Sequence, residues 1–469
     1  MKKWSSRIIT HFIQRYGNPN YAGEENAQFA KYFKEHVAKI LLGPVMNTLS
    51  VRSNKGFVTD LVFKNCISYL SAASELSPSY KMMKPHLDFI LFQVIFPSLC
   101  LTDSDMSLFD TDPIEFVRRV HTPLEDWVDV RSAAITLLQN LGRYRLKDTL
   151  PRLLPYIDAI FKEYFQIQNG SVAVSGPVDF RRKEACFVAI ASLSNLLMEK
   201  EPYKSQLEPI IINNVLPDFS NSAGYIRSRV CMFMENFYDL KWKNPTVVQT
   251  VLTGLLTCLR DPCVPVQSSA ACTLRLFLTE ESARPLVIPI LPDIVREYFR
   301  IMSEVENDVI LSALQTIVLE FGDEISGIAP MMVSELLTAF SYYSTQGEED
   351  DEAAFSASQC LDTVSSVLES VKEKPIIFAQ LQAMLLPLIN KIVQEEHVEY
   401  VENALDMLSY LTYYSDPMTS ELYGVAGSLL SALNSWAADY IVEMSPTLMN
   451  FISKVIKSFL FTIPFLFAM

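Results

Sequence analysis

Apolar residues recur at helical spacing along almost the whole chain. At seven places such a stretch carries a small or β-branched residue within it. These are Ala134, Ala185, Val230, Ala271, Ala313, Ala357 and Ala404, separated by 51, 45, 41, 42, 44 and 47 residues. A period of about 40–47 residues is the signature of helix-pair solenoids of the HEAT or armadillo kind. Small side chains at those positions let paired helices approach closely. Such an array builds an extended concave surface and no closed pocket, so the pattern predicts a protein that wraps another macromolecule.

The surrounding residues define the repeat. In DPCVPVQSSAACTLRLFL (Asp261 to Leu278) a turn-forming Asp-Pro precedes an apolar pattern through Val266, Ala270, Leu274 and Phe277. Pro265 suits the first helical turn, where its missing N–H is no loss. DVRSAAITLLQNL (Asp129 to Leu141) and GYIRSRVCMFMENF (Gly224 to Phe237) repeat the design, each with an Arg beside the small position. Leu154-Pro155, Leu216-Pro217, Leu291-Pro292 and Leu386-Pro387 are expected to open second helices. The long first interval has a local cause, a Gly/Ser/Pro loop from Gln166 to Phe180 inserted between two helices. The expected class is therefore all-α, a HEAT-repeat right-handed superhelical solenoid. It runs as one continuous array over residues 1–454, with an acidic loop at 347–352 and an atypical apolar tail at 455–469.

Composition narrows the partners. Asp and Glu number 54 against 39 Lys and Arg, a net charge of −15. Basic residues stand singly and form no stripe, so direct nucleic-acid binding is not expected. An acidic wrapping surface suits basic protein partners, because complementary fields speed encounter. The eight cysteines are scattered through apolar stretches with no CxxC spacing, which reads as buried thiols in a reducing compartment and not as zinc ligands. His11, Gln14 and Arg15 interrupt any apolar core of a signal sequence, so an intracellular location is expected. No phosphate loop, nucleophile elbow or HExxH is present, and His11, His36, His86, His121 and His397 stand far apart; no enzymatic activity and no cofactor are expected.

Two segments depart from the repeats. FPSLCLTDSDMSLFDTDPIEFVRR (Phe96 to Arg119) turns from an apolar helix into a Ser/Asp-rich connection. Asp112 there can cap a helix that starts at Pro113 with Glu115 at its third position, and Arg118 and Arg119 fall near its last turn or meet acidic neighbours. An inter-repeat connection with good caps explains this segment on composition alone. GEEDDEAA (Gly347 to Ala354) places Glu348, Glu349, Asp350, Asp351 and Glu352 in succession. Five adjacent carboxylates repel one another and predict a solvated loop, either plain surface or a basic-ligand site.

Those segments also carry a resemblance. Phe96 to Arg119, with Asp103, Asp105, Asp112, Pro113, Glu115 and Arg118, closely resembles a segment of importin-β (karyopherin-β) transport receptors. RRKEACFVAIASLSNLLMEKEPYKSQLEPIIINNVLPDFSNSAGYIRSR (Arg181 to Arg229) and EVENDVILSALQTIVLEFGDEISGIAP (Glu304 to Pro330) are similar to the importin-seven/importin-eight class in particular. The resemblance runs from about residue 2 to residue 454. It implies a HEAT superhelix that carries basic cargo, such as ribosomal proteins or histones, between cytoplasm and nucleus. Passage would go through nuclear pores lined by FG-nucleoporins, under control of Ran-GTP. The family's acidic insertion matches Glu348 to Glu352 in place and sign, which implies a loop for Ran or for basic cargo, while its main Ran-binding repeats lie upstream of the segment matching Met1. Rival readings are an exportin of the importin-α-recycling type and a HEAT scaffold without transport activity. The tail VIKSFLFTIPFLFAM is expected to cap the last repeat or to be non-native sequence. Its roughly 12 uninterrupted residues are too short to span a membrane.

Overall fold

The computed structural model describes residues 2–18, 21–121, 129–172, 176–281, 283–305, 308–346, 351–395 and 397–466; the side chains of 121, 308, 309, 351, 352 and 455–466 are not among those described. Every regular element among the described residues is helical, and the chain forms two compact units, Met1–Thr273 and Leu274–Met469. In the first, helix Asp60–Glu75 lies between Lys2–Tyr16 and Val130–Gln168, and Arg181–Ser192 lies between Val130–Gln168 and Gly224–Glu235. In the second, Asp308–Glu320, Asp351–Ser370, Val401–Tyr414 and Ile441–Leu466 pack in sequence as one row. Ala329–Gln346, Pro375–Gln394 and Ser420–Ser435 form the row beside them.

All seven small positions of the period are completely buried: Ala134, Ala185, Val230, Ala271, Ala313, Ala357 and Ala404 each have 0 % exposure. Val266, Ala270, Leu274 and Phe277 of the Val264–Leu278 helix are likewise sealed. A longer side chain at these sites would force the helices apart, which is why the sequence keeps them small.

The Leu-Pro pairs behave differently from expectation. Leu216 opens a 3₁₀ turn (Leu216–Ser220) and Leu291 opens helix Leu291–Val305. Leu154-Pro155 and Leu386-Pro387 instead lie inside Val130–Gln168 and Pro375–Gln394. Proline removes one backbone hydrogen bond from a helix. Here Leu153, Ile157 and Ile160 around Pro155, and Leu385 and Ile389 around Pro387, are buried and hold the helical path. The break within Val130–Gln168 falls at Arg145, whose φ of −134° and ψ of 33° leave the helical region. Its guanidinium donates to the carbonyls of Ser74 (2.9 Å) and Glu75 (3.1 Å), which anchors the kink to the neighbouring helix. Two helices of one repeat thus run almost without a loop.

Polar bonds tie one layer to the next at nearly the sequence period. Ser228 and Ser269 share a hydroxyl hydrogen bond (2.8 Å) across 41 residues, and Thr273 donates to the Cys231 carbonyl (3.0 Å) across 42. In the second unit Asn403 donates to Asp362 (2.7 Å), Tyr410 to Glu369 (3.3 Å) and Asn450 to the Ser409 carbonyl (3.2 Å), each across 41 residues. These bonds fix the register that non-directional apolar packing leaves free.

Pro375–Gln394 is long and apolar enough to cross a membrane by length and composition, with mean hydropathy 1.6. Its Phe378, Leu381, Leu385, Ile389 and Ile392 are buried among the neighbouring helices of the stack.

Candidate protein-binding groove

The Ser/Asp-rich segment folds into two short helices, Asp103–Thr111 and Pro113–His121. Thr102 caps the first: its hydroxyl accepts from the Asp105 amide (3.1 Å), while the Asp105 carboxylate accepts from the Thr102 amide (2.8 Å). Asp112 begins the second by accepting from the Glu115 amide (3.1 Å), and Pro113 occupies its first position. Glu115 pairs with Arg119 one turn later (3.1 Å). Asp103 reaches Arg181 (2.5 Å), which also holds Asp179. Arg118 lies on the same short helix as Glu115 and Arg119. Together the two helices bury Leu101, Phe109 and Phe116 against Tyr225 and Cys263. A methyl group at Gly224 would sit 3.2 Å from the Phe109 ring, so the glycine permits that approach.

Beneath them runs a set of charged pairs that the sequence did not single out as a site. Glu184, 1 % exposed, receives Arg131 on both oxygens (2.5 and 2.6 Å) and Arg229 on one (2.6 Å). Lys183 meets Asp218 (2.6 Å), whose other oxygen accepts from Asn221 (2.9 Å). Arg227 makes a two-pronged contact with Asp261 (2.6 and 2.8 Å). Buried charges persist only when paired and hydrogen-bonded, as these are. Burial lowers the hold of Arg229 on its proton, with Glu184 opposing; the Asp261 contact raises that of Arg227. The available signal was positional, since Glu184 precedes Ala185 and Arg229 precedes Val230 directly.

Between these pairs and the helices Lys2–Tyr16, Asp60–Glu75 and Pro113–His121 lies an open groove of about 960 Å³. Ile13, Leu108, Phe116 and Val120 give it apolar walls, and Arg131 and Arg229 line it from the charged side.

The acidic run is placed only in part. Gly347 to Asp350, including Glu348 and Glu349, lies outside the described residues; Asp351 and Glu352 begin helix Asp351–Ser370, their side chains undescribed. The tail is helical to Leu466, and its side chains from residue 455 onward are likewise outside the description. Six of the eight cysteines are buried, and burial pushes the Cys66 and Cys100 thiols up to about 11 and Cys360 up to about 12. Such thiols stay protonated and unreactive.

The Cse1 family model matches residues 8–175. An importin beta-like SAD2 homolog of Arabidopsis thaliana is 30 % identical over 457 residues, covering 97 % of this chain and 44 % of that protein. The chain belongs to the importin-β family. Human importin-8 is 26 % identical over 456 residues, 96 % of this importin-β-family chain and 42 % of importin-8. The chain thus spans less than half the length of these relatives. Among solved structures, Lph2 of S. cerevisiae, described as a bidirectional nuclear transport receptor, superposes with a TM-score of 0.70 at 14 % identity. That match covers 95 % of this chain and 46 % of Lph2. The shared fold is the HEAT-repeat solenoid.

Proposed function

We propose that this chain is a nuclear import receptor, or the part of one that carries basic protein cargo on its helical stack. The similarity to an importin beta-like protein along 97 % of the chain carries the reading. FG-nucleoporins would take it through the pore, placing it in cytoplasm, nucleus and nuclear envelope, and Ran-GTP would release the cargo. The Lph2 likeness supports the fold on which such transport rests. A labelled chain should enter nuclei of permeabilised cells and bring a histone-tail fusion with it. Exclusion of the chain from nuclei would leave the scaffold reading in its place. On a longer chain that carries the family's main Ran-binding repeats, Ran-GTP should detach the histone tail, whereas tighter cargo binding with Ran-GTP would indicate export; the present chain alone should bind Ran-GTP weakly or not at all.

The charge of the chain and the run Glu348 to Glu352 support a basic cargo. Replacing Glu348, Glu349 and Glu352 with Gln and Asp350 and Asp351 with Asn is expected to change stability by less than about 1 kcal/mol. Affinity for a histone tail should fall through the association rate at low salt. The difference should vanish near 1 M salt, where the screening length is about 3 Å. Equal affinities at low salt would reduce the run to solvated surface.

A further inference from the structure

The groove beneath the two short helices has a feature that a basic cargo does not use. Two guanidinium groups, Arg131 and Arg229, share the single carboxylate of Glu184, and that carboxylate is 1 % exposed. Arg229 engages it through Nε alone, while Arg131 takes both oxygens with one nitrogen. The terminal nitrogens of Arg229 make no hydrogen bond among the described residues, although four-fifths of its side chain is covered. Both arginines line the groove and Glu184 does not. The neighbouring acids on the wall take their hydrogen bonds from groups other than Arg229. Asp129 accepts from the Arg131 and Ser132 amides, Asp105 is held by Thr102, and Glu75 accepts from Asn18. The terminal nitrogens of Arg229 are thus unshared donors at the base of a groove whose walls include Ile13, Leu108, Phe116 and Val120.

We infer that this groove is a second ligand site, taking a carboxylate side chain flanked by apolar residues from a partner protein. The carboxylate would lie on the free edge of Arg229, where a charge-assisted pair in a partly desolvated place is strong and geometrically selective. The apolar neighbours would cover Phe116, Leu108 and Ile13. The site goes beyond the import reading, because it selects an acidic segment where the acidic run would select a basic one.

The test uses the full chain and a fluorescent synthetic peptide in which Glu alternates with Leu, with its Gln-for-Glu counterpart as control. The Glu peptide should bind and the Gln peptide should bind at least about tenfold more weakly. Arg229→Met removes the unshared donors and leaves Arg131 and Glu184 as a simple pair, so it should cost the Glu peptide a similar factor. Arg229→Lys should recover only part of it, since a point charge lacks the planar fork. Should Arg229→Met fail to fold by circular dichroism, Ala72→Phe adds bulk to the groove lining from helix Asp60–Glu75 and leaves the arginines in place, and it should lower the affinity of the Glu peptide. Equal binding of the two peptides would overturn the inference. So would undiminished binding of the Glu peptide to a folded Arg229→Met or Ala72→Phe protein.

Discussion

Glu184→Ala should destabilise the first unit by about 3–5 kcal/mol, the usual cost of removing one partner from a buried ion pair. The substitution deletes a carboxylate that two guanidinium groups approach at 2.5 to 2.6 Å. Their side chains are only 21 % and 17 % exposed, so water replaces little of what is lost. The arginines would then repel each other across the emptied space. Urea unfolding followed by circular dichroism measures the change, and Glu184→Gln, which keeps the volume and two polar atoms, should fall between the extremes. A loss below about 1 kcal/mol would mean that the arginines find other partners and that the pair contributes little. The same reasoning makes Arg229→Met mild, because one arginine still faces one carboxylate.

Ala271→Glu should be worse, at or above about 4 kcal/mol, and should melt its repeat. Ala271 has no exposed surface, and Ala270, Leu274 and Val266 beside it have none either. A glutamate there adds volume to a close-packed layer and carries a charge with no provision for a counter-ion. Loss of helical ellipticity and rapid proteolysis around the Val264–Leu278 helix would report it. Ala271→Val adds volume without charge and should cost about 1–3 kcal/mol, separating the two causes. A Glu variant as stable as the Val variant would show that the layer opens easily, against the packing described above.

The periodic part of this architecture was legible because it depends on residue size at a fixed spacing. Ala134 through Ala404 were identifiable from sequence, and each is sealed in the structure. Asp112 and Glu115 could be placed because helix caps are local, and the Thr102–Asp105 box in the same segment is a second cap of that local kind. The Leu-Pro pairs misled because proline has two outcomes. It opens a helix at Leu291 and is absorbed within one at Leu386, according to how much apolar packing surrounds it. The Glu184 cluster was not readable as a site, since its arginines come from 53 and 45 residues away in other layers. Periodicity reports that layers stack; it says nothing of which charges then face one another. The groove arises for the same reason, from the way two extra helices lean across layers whose own contents were predictable.

The cross-layer bonds at 41 and 42 residues have a mechanical meaning. Each of these bonds reaches the adjoining layer and no further, so each couples a layer to its immediate neighbour, like links in a one-dimensional chain. A disturbance in such a chain decays over a few links and does not spread through the whole, so damage to one layer loosens its flanks before it reaches distant ones. Compliance is then additive. Within one unit, many small rotations, each too slight to break its own hydroxyl or amide bond, sum to a larger displacement between its first and last layers. A stack built this way can bend while each individual joint remains close to its resting geometry.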